Sequence, residues 1–109
     1  MAFTEIGNEG ALSGTTSVDV VAAPGSSTRR LVRNVHFYNA DTAAVTITLV
    51  KDKGGTDYEL AKETLQVGEF FTFDKVIVLD ATDEKLQAFM SGAAASTNPK
   101  YDCAYADVT

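Results

Sequence analysis

"AAVTITLVKDKGGTDYELA", Ala43 to Ala61, is the stretch whose reading decides the fold. Val45, Ile47 and Leu49 alternate with Thr46 and Thr48. Side chains alternate across a strand, so this pattern predicts one buried and one wet face. "KDKGGTD" follows, and Gly54 and Gly55 can take the positive φ of a tight loop, which predicts a hairpin. In "YELAKETLQ", Tyr58, Ala61 and Leu65 have helical spacing, but the segment is short for an isolated helix. It reads as a strand and a turn, or as one helical turn.

Extended patterning continues on both sides. "VDVVA", Val18 to Ala22, is a short β-rich run before the turn signal Pro24-Gly25. "RRLVRNVHFYN" carries Val32, Val35, Phe37 and Tyr38, which favour extended structure. Leu31, Arg33, Val35 and Phe37 would share a face in an ideal strand. Arg33 spoils that face unless it sits at a strand end or beside a bulge. "NADTA" reads as the next turn. "VGEFFTFDKVIVLDATDEKLQAFMSG" places Phe71 and Phe73 on one face and Val76 with Val78, and Lys85 to Met90 as a strand. Phe37, Phe71, Phe73 and Phe89 are expected to fill the core. "GAAASTNP" reads as a flexible loop, and "KYDCAYADV" alternates Tyr101, Cys103 and Tyr105 against Asp102, Ala104 and Ala106. Seven or eight short strands at this cadence predict an all-β, two-sheet sandwich, jelly-roll-like, over residues 18–109. Residues 1–17 are rich in Gly, Ser and Thr and predict an N-terminal arm, mobile or ordered as a strand against a neighbour.

At 109 residues the chain fits one domain and can bury a core without metal or disulfide staples. Cys103 is the single cysteine, so no intrachain disulfide forms, which fits assembly in a reducing cytoplasm. The net charge of -6 is spread from Glu5 to Asp107 and repels phosphate backbones, so nucleic acid is not an expected partner. The first residues lack a basic region and a continuous apolar run, so no secretory signal is expected. No stretch approaches the ~18–20 apolar residues of a membrane span.

Nothing in the chain specifies a reaction, and no enzyme is expected. His36 is the lone histidine and has no spaced set of Asp, Glu or Cys to complete a metal site. A His36–Cys103 nucleophilic pair competes with the simpler reading of a surface histidine and a small core cysteine. Asp80, Asp83 and Glu84 crowd one turn and Asp52 and Asp57 flank the hairpin, but neither has an EF-hand spacing; they read as solvated turn acids. No catalytic, cofactor or metal residues are therefore assigned. The candidate partner contacts are the apolar groups of the arm, Phe3, Ile6 and Leu12, and the basic cluster Arg29, Arg30 and Arg33. These arginines either pair with nearby acids or anchor carboxylates on a partner. Tyr38 and Tyr58 are the aromatic platform that a carbohydrate-binding sandwich would need.

"RRLVRNVHFYNADTAAVTITLVKDKGG", with "LQVGEFFTF" and "IVLDATDEKLQAFMSGAAA", resembles small β-sandwich virion proteins of tailed bacteriophages. In these a strand of the form V-R-x-[VI]-x-[FL]-x-N runs through a small-residue turn into A-x-[VI]-T-[VIL]. A Gly-centred turn and a [VIL]-L-x-x-x-D-x-[IL]-x-[AV] segment follow. Here these fall on Val32–Asn39, Ala44–Leu49, Gly68 and Val78–Ala88, with Leu79, Asp83 and Leu86 in the key places. The resemblance covers about two thirds of the chain and lies in scaffold positions, so it transfers no site residues. It implies a virion structural protein made in the host bacterial cytoplasm, with no cofactor. A capsid decoration (cement) protein is the first reading; a head–tail connector or tail accessory protein is the alternative. The implied partners are the major capsid protein or other virion subunits, and further copies in a trimer or ring.

Overall fold

The computed structural model describes residues 2–109. Nine strands follow in order: β1 (Phe3–Ala11), β2 (Val18–Val21), β3 (Arg29–Tyr38), β4 (Val45–Lys53), β5 (Thr56–Leu65), β6 (Phe70–Phe73), β7 (Ile77–Leu79), β8 (Glu84–Met90) and β9 (Lys100–Val108). They form two antiparallel sheets packed face to face, the predicted sandwich. Sheet I runs β1-β9-β3, with β6 and β7 end to end along the far edge of β3; sheet II runs β2-β8-β4-β5. Among the described residues no helix is assigned.

The opening stretch is the β4–β5 hairpin. Val45, Ile47 and Leu49 are buried in the core, and Gly54 and Gly55 close the loop at φ 60° and 90°. Positive φ at both loop positions suits the right-handed twist of the flanking strands. Residues 58–65 are strand throughout, because every residue from Thr56 to Leu65 except Leu60 stands opposite a β4 residue. Tertiary pairing overrides the local helical spacing, and a register shift at Leu49/Val50 absorbs the irregular apolar pattern.

The strand count exceeds seven or eight for two reasons. Asp74 and Lys75 split one apolar run into β6 and β7, and the N-terminal segment contributes β1. Residues 3–11 lie along β9 of the same chain, from Phe3 opposite Val108 to Ala11 opposite Lys100. Leu12 then enters the core at 2 % exposure, and Asn8 Nδ2 donates to Val20 O at 2.8 Å, tying the edge of sheet I to sheet II. Glycine in β1 has a local use at Gly10, over which the buried Tyr101 lies; a Cβ there would sit 2.7 Å from the Tyr101 hydroxyl. Gly10→Val is expected to displace that ring and lower stability by about 2 kcal/mol. Urea unfolding checks this as a lower midpoint at unchanged slope.

The core between the sheets includes Val32, Val35, Phe37, Leu79 and Leu86, all fully buried, with Phe71 and Phe73 packed against it. Phe37 and Phe71 stack with planes 4° apart and centroids at 6.3 Å. Phe89 departs from expectation. It stands opposite Thr48 on the outer side of sheet II, because alternation in β8 gives the inward places to Leu86, Ala88 and Met90.

At one end of the sandwich a polar hub replaces apolar packing. Asn39 is buried, and its Nδ2 donates to the carbonyls of Ala43, Leu65 and Gln66 at 3.0–3.1 Å. Its Oδ1 accepts from Asp41 N at 2.8 Å. Asp41 in turn accepts from the backbone N–H groups of Thr42, Ala95, Ser96 and Thr97. These donors, Ala95 first, hold its carboxyl down to about 2. The "GAAASTNP" segment is thus held through its backbone by a turn acid from the other half of the sequence.

Candidate interaction surface

Alternation and register together place the side chains on the outer face of sheet I. At one end of this face, Ala11, Lys100, Tyr38 and Phe70 stand side by side across β1, β9, β3 and β6. Phe70 is 65 % exposed and Tyr38 41 %. Phe71 and Phe73 take the inward places of β6, so Phe70 faces out on the edge of the sheet. The turn before it, with Gly68 at φ 79°, leaves Val67 exposed beside it.

Glu9, Asp102, His36 and Thr72 form the next row. His36 Nδ1 lies 2.9 Å from the Thr72 hydroxyl, and the His36 ring is 5.2 Å from that of Phe70. Beyond it Gly7, Ala104 and Asn34 make a low row. A register shift between Val32 and Asn34 leaves Arg33 as an extra residue, a bulge, which is one of the two arrangements that the broken apolar pattern of β3 allowed. Arg33 turns outward, pairs with Glu5 at 3.2 Å and lies over the Phe3 ring at 5.5 Å. Past the bulge come Ala106, Leu31 and the exposed Val78, then Phe3 and Val108.

The outer face of sheet II is different. Thr46 and Thr64 share a hydroxyl contact at 2.9 Å, and Asp19 accepts from Gln87 Nε2 at 2.7 Å. Lys62 and Glu59 flank Thr48 and Val50. One broad face is therefore mainly polar, with Phe89 half-buried and Val50 buried on it, and the other carries exposed aromatic and aliphatic groups at both ends.

The six candidate contacts separate. Phe3 and Arg33 are exposed and come together on the sheet I face; Arg29 is exposed at its end, opposite Val108. Ile6 is half-buried in β1 and Leu12 is core. Arg30 is committed within the chain: Nε pairs with Asp107 at 3.0 Å, Nη1 donates to Ala22 O at 2.7 Å, and the guanidinium lies 5.0 Å from the Tyr105 ring centroid. Tyr38 and Phe70 were not among the six. The signal for them was the parity of β3 and β6, since Phe71 and Phe73 inward require Phe70 outward.

The residues weighed for chemistry are kept apart by the fold. Cys103 faces the core, opposite Val35, and its Sγ lies 3.5 Å from Val20 O; burial pushes the thiol up to about 11. His36 is the next residue of β3 and faces the other way, so the two share no site. Tyr38 and Tyr58 lie on different sheets and make no common platform. Glu84 is buried, not a solvated turn acid: Oε2 pairs with Lys51 Nζ at 2.9 Å and Oε1 accepts from Asp80 N at 3.0 Å. Hydrogen bonds from Asp80 and Lys51 hold its carboxyl down to about 2. Asp57 goes the other way, raised by desolvation and by Asp52 beside it. Among the described residues no cluster of three or more His, Cys, Asp or Glu could hold a metal ion. A shallow hollow of about 300 Å³ beside Arg33 and Tyr105 lies on the same sheet I face.

No protein-family model matches the sequence, and no curated protein does. Solved structures do. A chain of the disulfide-linked pili that form Bacillus endospore appendages superposes with TM-score 0.56 at 14 % identity, over 99 % of this chain and 87 % of its own. A chain of the T13 IBDV viral particle superposes with TM-score 0.54 at 14 % identity, over 97 % of this chain but 30 % of its own. The chain thus spans about a third of that viral protein. At such identities the likeness is one of fold: the sandwich is shared with a pilus protein and a viral capsid protein. The disulfide linkage of the pili has no counterpart in the buried Cys103.

Proposed function

We propose that this chain is a structural protein of a tailed-phage virion, a capsid decoration protein that binds the assembled shell and stabilises it. The observation that carries this reading is the difference between the two broad faces. A body that works by adhesion needs one face that gains by leaving water and one that keeps it soluble. The sheet I face carries Tyr38 with Phe70 at one end and Phe3 with Val78 at the other, all in the open, and exposed apolar groups gathered on one face mark an interaction surface. The sheet II face is mostly threonine, glutamine and charge, with Phe89 half-buried and Val50 buried among them. The resemblance to small virion sandwiches and the fold shared with a viral capsid protein support the same reading. Each contact can be weak, because a symmetric shell repeats it many times.

The test is attachment. Particles lacking the protein are mixed with the purified chain, and bound copies and the shell melting temperature are measured. Saturable binding with a raised shell melting temperature is expected. Phe70→Asp puts a charge at the apolar end of the face and is expected to weaken attachment at least tenfold while the isolated chain keeps its β spectrum. Attachment unchanged by Phe70→Asp removes the sheet I face from the reading. Copies confined to the neck or tail of native virions favour the connector or tail accessory alternative.

A further inference from the structure

The sheet I face has a property beyond its apolar content: it is self-complementary. We infer that its first partner is a second copy of this chain, stacked face to face about a two-fold axis that runs parallel to the strands between β9 and β3. This rests on the reading of that face as adhesive: in the free protein a second copy occupies it, and attachment to the shell competes with the pairing. It differs from the trimer or ring that the resemblance implies.

Such an axis sets β9 of one copy over β3 of the other and β1 over β6 and β7, at the same height along the strands. Each row then meets its own mirror order. In the first row Lys100 comes over the partner's Tyr38 ring, a cation on an aromatic face, and Ala11 over its Phe70. In the second, Asp102 meets His36 and Glu9 meets the Thr72 hydroxyl. The low row of Gly7 and Ala104 lets the sheets approach. Every such contact occurs twice, as a two-fold interface requires. Packed sheets keep their strands within about 30° of each other, which aligned strands satisfy.

Charge and area point the same way. Copies at net -6 repel one another over most of their surface. The sheet I face is the exception, since Glu5, Glu9 and Asp102 are matched there by Arg29, Arg33 and Lys100. Four strands at about 4.8 Å spacing and nine residues at about 3.4 Å give a face of roughly 590 Å². Two such faces bury about 1,200 Å², just above the ~1,000 Å² that a specific interface needs.

The experiment uses the full chain and reads oligomeric state by light scattering and sedimentation at neutral pH, with circular dichroism as the fold check. The wild type is expected as a pair of 11.6 kDa chains. Asp102→Lys sets a lysine against the partner's His36, and His36→Glu sets a glutamate against its Asp102, so each variant alone is expected to run as a folded monomer. Mixed together they are expected to form a 1:1 pair. The lysine introduced into one copy then meets the glutamate introduced into the other, while the second Asp–His contact is native. A monomeric wild type, a trimer or ring, a pair indifferent to both substitutions, or a mixture that stays monomeric each overturns the inference. If the pair forms as described and particles bind none of it, the virion reading fails and the pairing stands.

Discussion

Asn39→Ala is expected to lower the stability of the isolated chain by about 3 kcal/mol, with a fall in Tm on the order of 15 °C. The size follows from what the side chain leaves behind. Asn39 Nδ2 serves the carbonyls of Ala43, Leu65 and Gln66, which lie in the turn before β4, at the end of β5 and just past it. The Leu65 contact is buried, so its oxygen has no water to turn to when the amide is gone. A buried acceptor left without a donor costs about 1–3 kcal/mol. The others can be partly rehydrated and add less. Asn39 Oδ1 also fixes Asp41, whose carboxylate holds the backbone of Ala95, Ser96 and Thr97. Losing Asn39 therefore loosens the end of β3, the β5–β6 turn and the β8–β9 connection together. Asn39→Asp separates the parts: it keeps the acceptor toward Asp41 but removes the donors, and it should be about as damaging as alanine. Urea unfolding of both variants decides the matter. A loss below about 1 kcal/mol for Asn39→Ala would mean that the three carbonyls find other partners and that the hub is ornamental.

That hub also marks the limit of what residue patterns tell. Alternation in β4, β6 and β9 is local, and it correctly turned Val45, Ile47 and Leu49 inward and put Tyr101 on the face of the core residue Cys103. The bulge at Arg33 was legible for the same reason: an arginine in an apolar row has to leave the row. "NADTA", in contrast, reads as a generic polar turn, because the groups that give Asn39 and Asp41 their roles lie 26 and 54 to 56 positions away. The N-terminal glycines suggested an arm because their cost is local, while their compensation, a full row of pairing to β9 and room for the Tyr101 ring, comes from the far end of the chain. The interaction face sits between these cases. Its parity was present in "EFFTF", but that β6 is an edge strand, with Phe70 next to Tyr38, depends on sheet order, which alternation does not encode.

Lys51→Met is expected to cost about 3 kcal/mol at pH 7, and most of that cost should vanish near pH 3. Glu84 is 1 % exposed at the start of β8, and Lys51 from β4 is the cation at 2.9 Å; Lys53 stands farther off at 4.0 Å. Removing Lys51 leaves a carboxylate in the interior with Asp80, through its side chain and its backbone N–H, as its chief remaining support. Breaking a buried pair in this way costs more than the pair is worth, because the survivor's desolvation is no longer offset. Glu84→Gln should cost less, since Lys51 is a quarter exposed and can turn to water while still donating to Val78 O. The double variant Lys51→Met with Glu84→Gln should lie closer to the wild type than Lys51→Met alone. The pH dependence follows from the direction of the shift. In the folded chain Glu84 is held at about 2 against an ordinary 4.5, and Asp41 at about 2 against 3.8. Groups depressed on folding contribute fully above their unfolded values and lose that contribution as pH falls through the folded ones. The wild type should therefore lose stability between pH 4.5 and about 2, and Glu84→Gln should flatten the upper part of that decline. In Lys51→Met the uncompensated carboxylate takes up its proton at higher pH, which relieves the strain and narrows the gap to wild type. A Lys51→Met deficit equally large at pH 7 and pH 3 would show that lost packing of the lysine stem, and not the stranded charge of Glu84, is what the substitution measures.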